Sequence, residues 1–272
     1  MTTVTRFAPS PTGRLHLGHA HAALFAARAG QRFLLRIEDI DTTRCRPKFV
    51  DGIFEDLAWL GLEWETPVRR QSEHFADYAD QLGQLREMGL LYPCFCTRAD
   101  IARSPAAPHG PDGALYPGTC RGLNPALAAD RIASGAGYAL RLDVHQALAQ
   151  SGALTWRDLD RGEQRAAPET LGDVVLARKE VATSYHLAVT TDDALQGITV
   201  VTRGEDLFHA THVHRLLQAL LDLPVPVWRH HGLLRNERGE RLAKRDAAAT
   251  LQALRLAGTT AAEVRQIAGF PD

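Results

Sequence analysis

Long apolar runs are missing from this 272-residue chain. None approaches the roughly 20 residues that a membrane-spanning helix needs. The opening residues, Met1-Thr2-Thr3-Val4-Thr5-Arg6-Phe7, lack the apolar core of a signal peptide. Together these absences point to a cytoplasmic protein with no membrane partner. Cysteine is scarce, with four in the whole chain, and without a secretory signal they do not suggest a disulfide framework. Neither sign of charge prevails: 31 Lys and Arg stand against 32 Asp and Glu, for a net charge of -1. That balance excludes a broad basic surface for nucleic acid but not a local groove. Internal repeats and low-complexity tracts are absent as well.

What remains is ordinary for a globular protein, with 45% hydrophobic and 23% charged residues. The length suits one large domain or two modest ones. Val4 to Ala8 reads as a strand, Gly18 to Ala29 as a helix stopped by Gly30, and Arg32 to Ile37 as a buried strand. A strand, a helix and a strand in that order make a βαβ unit and hence a parallel sheet. Pro47 opens a second helix, with Phe49, Ile53, Phe54, Leu57 and Leu60 at helical spacing. Pro and Gly crowd Ser104 to Gly122, so residues 92–171 read as an insertion into a discontinuous catalytic domain formed by 1–91 and 172–246. Residues 247–272 read as a short C-terminal tail. Val174 to Ala177, Tyr185 to Val189 and Ile198 to Thr202 are expected to be strands, and Glu205 to Leu221 a helix with Val213, Leu216, Leu217 and Leu220 on one face. Ligands on such sheets sit beyond the carboxyl ends of the strands. Both the Pro9–His19 loop and the acidic trio Glu38, Asp39 and Asp41 fall there.

The sharpest motif is Arg6-Phe7-Ala8-Pro9-Ser10-Pro11-Thr12-Gly13, followed by His16-Leu17-Gly18-His19 at a helix start. A helix N-terminus offers unpaired N–H groups and a positive dipole end to a polyphosphate. Two imidazoles three residues apart share a helical face and can donate to phosphate oxygens as charge develops. Gly18 lets a flat ring approach the backbone. Far along the chain, Arg241-Leu242-Ala243-Lys244-Arg245 forms a basic loop, whose lysine supplies a mobile point charge. Such loops are commonly just solvated; the pairing with the histidine motif gives this one weight. Cys94, Cys96 and Cys120 cluster in the insertion, as thiolate ligands of a structural zinc do, although buried thiols would also account for them.

These stretches, with Arg36-Ile37-Glu38-Asp39-Ile40-Asp41, Ser184 to Val189 and Val201 to Leu207, resemble the catalytic part of the glutamyl-tRNA synthetases. The likeness spans residues 6 to 246 and is greatest to their short paralogues, the glutamyl-queuosine tRNA(Asp) synthetases. It implies an α/β, Rossmann-like class I synthetase catalytic domain with a zinc-bearing insertion and no anticodon-binding domain. It also implies ATP-dependent activation of L-glutamate, with Mg²⁺ on the triphosphate and transfer to queuosine in tRNA(Asp), by a monomer. Carried over by position, Arg6, Phe7, Ala8, Pro9, Ser10, Glu38, Tyr185 and Arg203 would hold glutamate. His16, Gly18, His19 and Lys244 would bind ATP, with His16, His19 and Lys244 catalytic. Arg6 suits the substrate's side-chain carboxylate, since a guanidinium fork grips a carboxylate in two places and rejects an amide. One zinc would be held by Cys94, Cys96 and Cys120, with Tyr116 or His109 as fourth ligand. The sequence departs from the family's KMSKS loop, in which Arg241, Ala243 and Arg245 replace Lys, Ser and Ser. It also stops soon after that loop, where full-length glutamyl-tRNA synthetases continue, and this favours the short paralogue. Two rival readings remain: a glutamate-activating ligase that acylates a small molecule or carrier protein, and a non-catalytic regulator.

Overall fold

The computed structural model describes residues 2–104, 109–110, 113–178, 181–234 and 249–271. The chain begins with β1 (Val4–Phe7), α1 (Leu17–Ala29), β2 (Arg32–Ile37), α2 (Pro47–Trp59), β3 (Glu65–Arg70) and α3 (Phe75–Glu87). β1 pairs parallel with β2 and β2 parallel with β3, with Arg6 opposite Leu34. Gly30 closes α1 because the chain must return tightly there: a Cβ would lie 2.3 Å from Thr5 Oγ1. The middle of the chain carries β4 (Leu91–Cys94), α4 (Arg98–Arg103), β5 (His109–Gly110), β6 (Gly113–Ala114), α5 (Pro125–Ala133), β7 (Ala139–Leu142) and α6 (Val144–Ser151). Then come β8 (Thr155–Asp158), β9 (Gly162–Arg165), β10 (Val175–Arg178), α7 (Tyr185–Leu195), β11 (Val200–Gly204), α8 (Ala210–Leu220) and β12 (Val227–His231). Helices α9 (Leu251–Leu256) and α10 (Ala261–Ile267) follow.

β11 pairs parallel with β12, β12 parallel with β8, and β8 antiparallel with β9. At its start β11 meets β1: Thr199 donates its N–H to the Val4 carbonyl at 3.1 Å, and Val4 donates to Thr199 Oγ1 at 2.8 Å. The strands therefore run β3-β2-β1-β11-β12-β8, and the chain reverses its direction of winding between β1 and β11. That switch point is where open α/β sheets bind ligands. Strand pairing crosses the boundary that the sequence suggests for the insertion, since β8 and β9 lie within 92–171 yet extend the catalytic sheet. The cysteine-bearing part packs instead on a small antiparallel sheet, β10-β7-β4.

One core cluster joins α1, α2 and the first strands, and a second joins α3, β4, β7, β10, α7 and α8. In α8 the stripe read from the sequence faces inward, with Val213, Leu216 and Leu217 fully buried and Leu220 partly so; truncating Leu216 or Leu217 to Ala costs about 2–5 kcal/mol. The stretch 247–272, read as a tail, contains α9 and α10, which seal the first cluster with Leu251, Val264 and Ala268. Two sequence expectations are corrected. Tyr185 to Val189 is a helix, not a strand: Ser184 caps α7 by accepting from the Leu187 N–H at 3.4 Å. Residues Leu187 to Asp193 are all buried although Thr190, Thr191, Asp192 and Asp193 are polar, so the hydrophobic period does not mark the helix, and a short apolar run cannot be told from a buried strand by periodicity. The expected Glu205–Leu221 helix is divided into a 3₁₀ turn at Glu205–Leu207 and α8. No helix among the described residues is long and apolar enough to cross a membrane.

Candidate active site

Beyond the carboxyl ends of β1 and β11 lies a cleft of about 550 Å³. Of the residues singled out in the sequence, Arg6, Phe7, Ala8, Ser10, His16, Gly18, His19, Glu38, Tyr185 and Arg203 all line it. Pro9 lines an adjoining cavity of about 400 Å³ that shares Phe7, Ala8, Ser10, His19 and Glu38 with the cleft. Lys244 lies outside the described residues. Among described residues flanking that stretch, Leu234 lines the cleft and Thr250 forms a bridge with His16.

His16 and His19 build the start of α1 themselves. His16 Nδ1 accepts from the Gly18 N–H, and His19 Nδ1 accepts from the His16 N–H, each at 3.1 Å. This reciprocal capping box satisfies two of the helix's orphan donors. It also fixes the tautomer: with Nδ1 accepting, each neutral ring carries its proton on Nε2. The two rings lie 3.8 Å apart between centroids. A Cβ at residue 18 would stand 3.1 Å from the His16 ring, close enough that the ring would have to give way slightly.

Arg6 is buried and already partly engaged. Its Nε donates to Asp193 Oδ1 at 2.9 Å, its Nη2 to Asp193 Oδ2 at 3.4 Å, and its Nη1 to the Thr202 carbonyl at 3.0 Å. A guanidinium has five N–H donors, so one remains on each terminal nitrogen among the described residues. Behind Arg6, the fully buried Arg36 donates to Asp193 at 2.9 Å, to Gln196 at 2.9 Å and to Glu38 at 3.3 Å. Burial alone would raise the Asp193 pKa, but the charges of Arg6 and Arg36 outweigh it and hold the carboxyl below its ordinary value. For Glu38 the balance falls the other way: burial raises it, against Arg36 and Arg6. Asp193 and Arg36 were not identified from the sequence. The available signal was a charged residue inside the apolar run Arg32–Ile37, which needs a buried partner.

Arg203 forms the opposite wall. Its Nε donates to His230 Nε2 at 3.3 Å, and its Nη1 to His214 Nδ1 at 3.2 Å and to the Tyr185 hydroxyl at 3.4 Å. Its Nη2 donates to Thr211 Oγ1. The chain of tautomers follows. His230 Nδ1 donates to Asp158 Oδ2 at 2.7 Å and so offers Nε2 as acceptor. His214, accepting at Nδ1, donates from Nε2 to His186 Nδ1 at 3.2 Å. All three rings must stay neutral here. Burial first, and the Arg203 charge second, push His186 and His230 down to about 4 and His214 well below its ordinary value. Burial raises the Tyr185 pKa, leaving a neutral phenol. Asp158, His214 and His230 escaped sequence reading because isolated polar residues carry no periodic signal.

The cysteine cluster sits apart. Ligand atoms of Cys94, Cys96 and Cys120 all lie within 4.8 Å of one another, and Cys96 Sγ is 3.7 Å from Cys120 Sγ. A tetrahedron with metal–sulfur bonds of about 2.3 Å has edges of about 3.8 Å, so the spacing suits zinc; it is far too long for a disulfide. Burial, reinforced by Cys120 and Cys94, pushes the Cys96 thiol up to about 11. A divalent cation would reverse that, because thiolate is the ligand form. The Tyr116 hydroxyl accepts from the Cys120 N–H at 2.6 Å and lies within hydrogen-bonding reach of the Cys94 and Cys120 thiols. The side chain of His109 lies outside the described residues.

The family described as class I tRNA synthetases (E and Q), catalytic domain, matches residues 2–264. A glutamyl-Q tRNA(Asp) synthetase from Rhodobacter capsulatus is 50% identical over 98% of this chain and 100% of its own length. Another from Symbiobacterium thermophilum is 44% identical over 94% of this chain and 82% of its own. Among solved structures, a glutamate-tRNA synthetase from Elizabethkingia anophelis superposes with a TM-score of 0.72 at 28% identity, over 90% of this chain and 53% of that one. The chain belongs to the class I tRNA synthetase family of the glutamyl and glutaminyl type, as a ligase built on that family's catalytic domain.

Proposed function

We propose that this enzyme condenses L-glutamate with ATP to glutamyl-adenylate and passes the glutamyl group to queuosine in tRNA(Asp). The observation that carries the proposal is the convergence of Arg6, Glu38, Tyr185 and Arg203 on one cleft with the His16–His19 helix start. The two remaining N–H bonds of Arg6 form an end-on fork for the substrate's side-chain carboxylate. Glutamine would present N–H donors to that fork, and aspartate would fall one methylene short. The Glu38 carboxylate faces the α-ammonium, and Arg203 with the Tyr185 hydroxyl orients the α-carboxylate.

In the first step an α-carboxylate oxygen attacks the α-phosphorus of ATP. The bond to the bridging oxygen breaks, and pyrophosphate leaves with the electron pair. His16 and His19 donate from Nε2 to the phosphates, beside the positive end of α1, and Lys244 follows the leaving group. Bound Mg²⁺ would neutralise charge on the triphosphate. In the second step a hydroxyl oxygen of the queuosine ring attacks the adenylate carbonyl carbon and forms an ester. The bond from the carbonyl carbon to the bridging phosphate oxygen breaks, and AMP departs with the electron pair, taking up the hydroxyl proton. Cys94, Cys96, Cys120 and Tyr116 would hold one zinc, which fixes the fold of the cysteine-bearing segment. The fit to a cytoplasmic monomer rests on the same family reading.

Two assays test the proposal. Glutamate, and neither glutamine nor aspartate, should drive ATP–pyrophosphate exchange, and should do so without tRNA. Labelled glutamate should then appear on tRNA(Asp) from queuosine-making cells, survive trimming of the 3′ end, and be absent from tRNA lacking the modification. A requirement for the 3′ adenosine would sink the queuosine step. Robust exchange with no tRNA labelled would favour a small molecule or carrier protein as acceptor.

A further inference from the structure

The two arginines of the cleft have opposite surroundings. Arg6 has a carboxylate partner, Asp193, at 2.9 Å. The buried Arg203 meets only uncharged acceptors among the described residues: His230, His214, Tyr185 and Thr211. These take four of its five N–H bonds and leave one, on Nη2. A buried cation without a counter-charge is costly, so this wall of the cleft holds a charge that a bound carboxylate would neutralise. The arrangement lasts only while each neighbour stays an acceptor, and for His230 that depends on its tautomer.

Asp158 sets the tautomer. It ends β8, paired with Trp228 of β12, and its side chain and that of His230 are both fully buried. Oδ1 accepts from the N–H groups of Asp160 at 2.9 Å and Arg161 at 3.0 Å, in the turn that leads to β9. Oδ2 accepts from the His230 backbone N–H at 3.2 Å and from Nδ1–H at 2.7 Å. Held at both oxygens, the carboxylate cannot turn away. Burial would raise its pKa, but His230 and the two turn N–H groups outweigh this and hold it below the ordinary value. An ionised carboxylate only accepts, so the His230 proton stays on Nδ1. Bare Nε2 then faces Arg203 Nε at 3.3 Å and Thr211 Oγ1 at 3.2 Å. The opposite tautomer would aim an N–H at the Arg203 Nε–H, donor against donor.

We propose that Asp158 and His230 are positioning residues for glutamate: Asp158 locks the His230 tautomer, and the bare Nε2 aims Arg203 at the substrate's α-carboxylate without neutralising its charge. This rests on the glutamate-activating reading above and extends the amino-acid site into β8, a strand that the sequence assigns to the insertion. Neither Asp158 nor His230 lines the cleft; both act through Arg203.

The test is Asp158→Asn in the full chain. If the amide oxygen keeps the two turn N–H groups, the amide nitrogen donates to His230 Nδ1 and the imidazole proton moves to Nε2. Nitrogen NMR of the imidazoles, with His230 assigned by its loss in His230→Gln, should show the proton on Nδ1 in the parent and on Nε2 in Asp158→Asn. In pyrophosphate exchange, kcat/KM for glutamate should fall about ten- to a hundredfold, the size of one hydrogen bond to a charged group. The KM for ATP should stay within about twofold. His230→Gln offers Arg203 an amide oxygen with no tautomer to lock, so adding Asp158→Asn to it should cost less than about threefold further. If Asp158→Asn does not fold, His230→Leu decides: lacking an acceptor, it should lose about tenfold more than His230→Gln, and equal losses would overturn the proposal. An unmoved proton in Asp158→Asn, an unchanged kcat/KM, equal losses for glutamate and ATP, or full additivity in the double variant also overturns it. A parent protein with the proton on Nδ1 but no glutamate-driven exchange refutes the functional reading, and the role toward glutamate with it, while the tautomer lock stands.

Discussion

Lowering the pH should destabilise this protein through its buried histidines, and His186 is the place to measure it. In the folded chain burial and the Arg203 charge hold His186 down to about 4, whereas an unfolded chain restores the ordinary value near 6.5. The unfolded state therefore binds the proton first. Stability is fully present above about pH 6.5 and falls as the pH drops through the window between about 6.5 and 4. Between pH 7 and 5 the loss for one such histidine is about 2 kcal/mol, from 1.36 kcal/mol per unit over roughly 1.5 units. His230, also near 4, and His214 act in the same direction. The raised Glu38 acts in the opposite one, so the total is best cancelled by a paired comparison. In His186→Gln the amide oxygen can still accept from His214 Nε2, but the titrating group is gone. Urea unfolding at pH 7 and 5 should show the parent protein losing about 2 kcal/mol more than the variant, with equal m-values. Equal losses in the two proteins would refute the claim that His186 is buried neutral against Arg203.

Lys244→Ala should keep the fold and lose about 10²- to 10³-fold in pyrophosphate exchange, as expected when one charged donor to a developing charge is removed; full exchange would end that assignment. Purified protein should carry about one zinc per chain. Cys96→Ser should lower the metal content and the melting temperature while sparing exchange, and metal-free protein of unchanged stability would show plain buried thiols. Leu251→Ala should cost about 2–5 kcal/mol in urea unfolding, because Leu251 is fully buried. It should also slow exchange, because repacking of α9 would shift the main-chain bond, kept in the variant, from the Leu251 N–H to the Leu15 carbonyl at 2.8 Å beside the His16 bridge. A stable but slow variant would locate the effect at the cleft, and an unstable but fully active one would confine α9 to the core.

What was legible in the sequence was whatever repeats locally. The βαβ opening, the helix after Pro47 and the inward stripe of α8 follow from hydrophobic period and from stop signals such as Gly30, and the motif residues fall where the strands end. The helix at Tyr185 was lost because its buried face continues all round, so the period that distinguishes it from a strand is erased. The packing of α9 and α10 was lost because short helices bury few residues each, and only the tertiary contact with α1 and α2 tells them from a free tail. The ionic architecture was harder still. Asp193 lies 187 positions from Arg6 in the chain, and no window of sequence can pair them. Yet the pairing decides what Arg6 can do. Removing one partner of a buried ion pair costs about 3–5 kcal/mol, so Arg6 is anchored from behind by a contact the motif does not mention. The same holds for Arg203, whose donors meet acceptors from α7, α8 and β12. A motif names the side chains that face the substrate. The groups that fix their orientation and charge lie behind them and come from distant turns of the chain, so only the folded arrangement shows that both arginines are rigid donors.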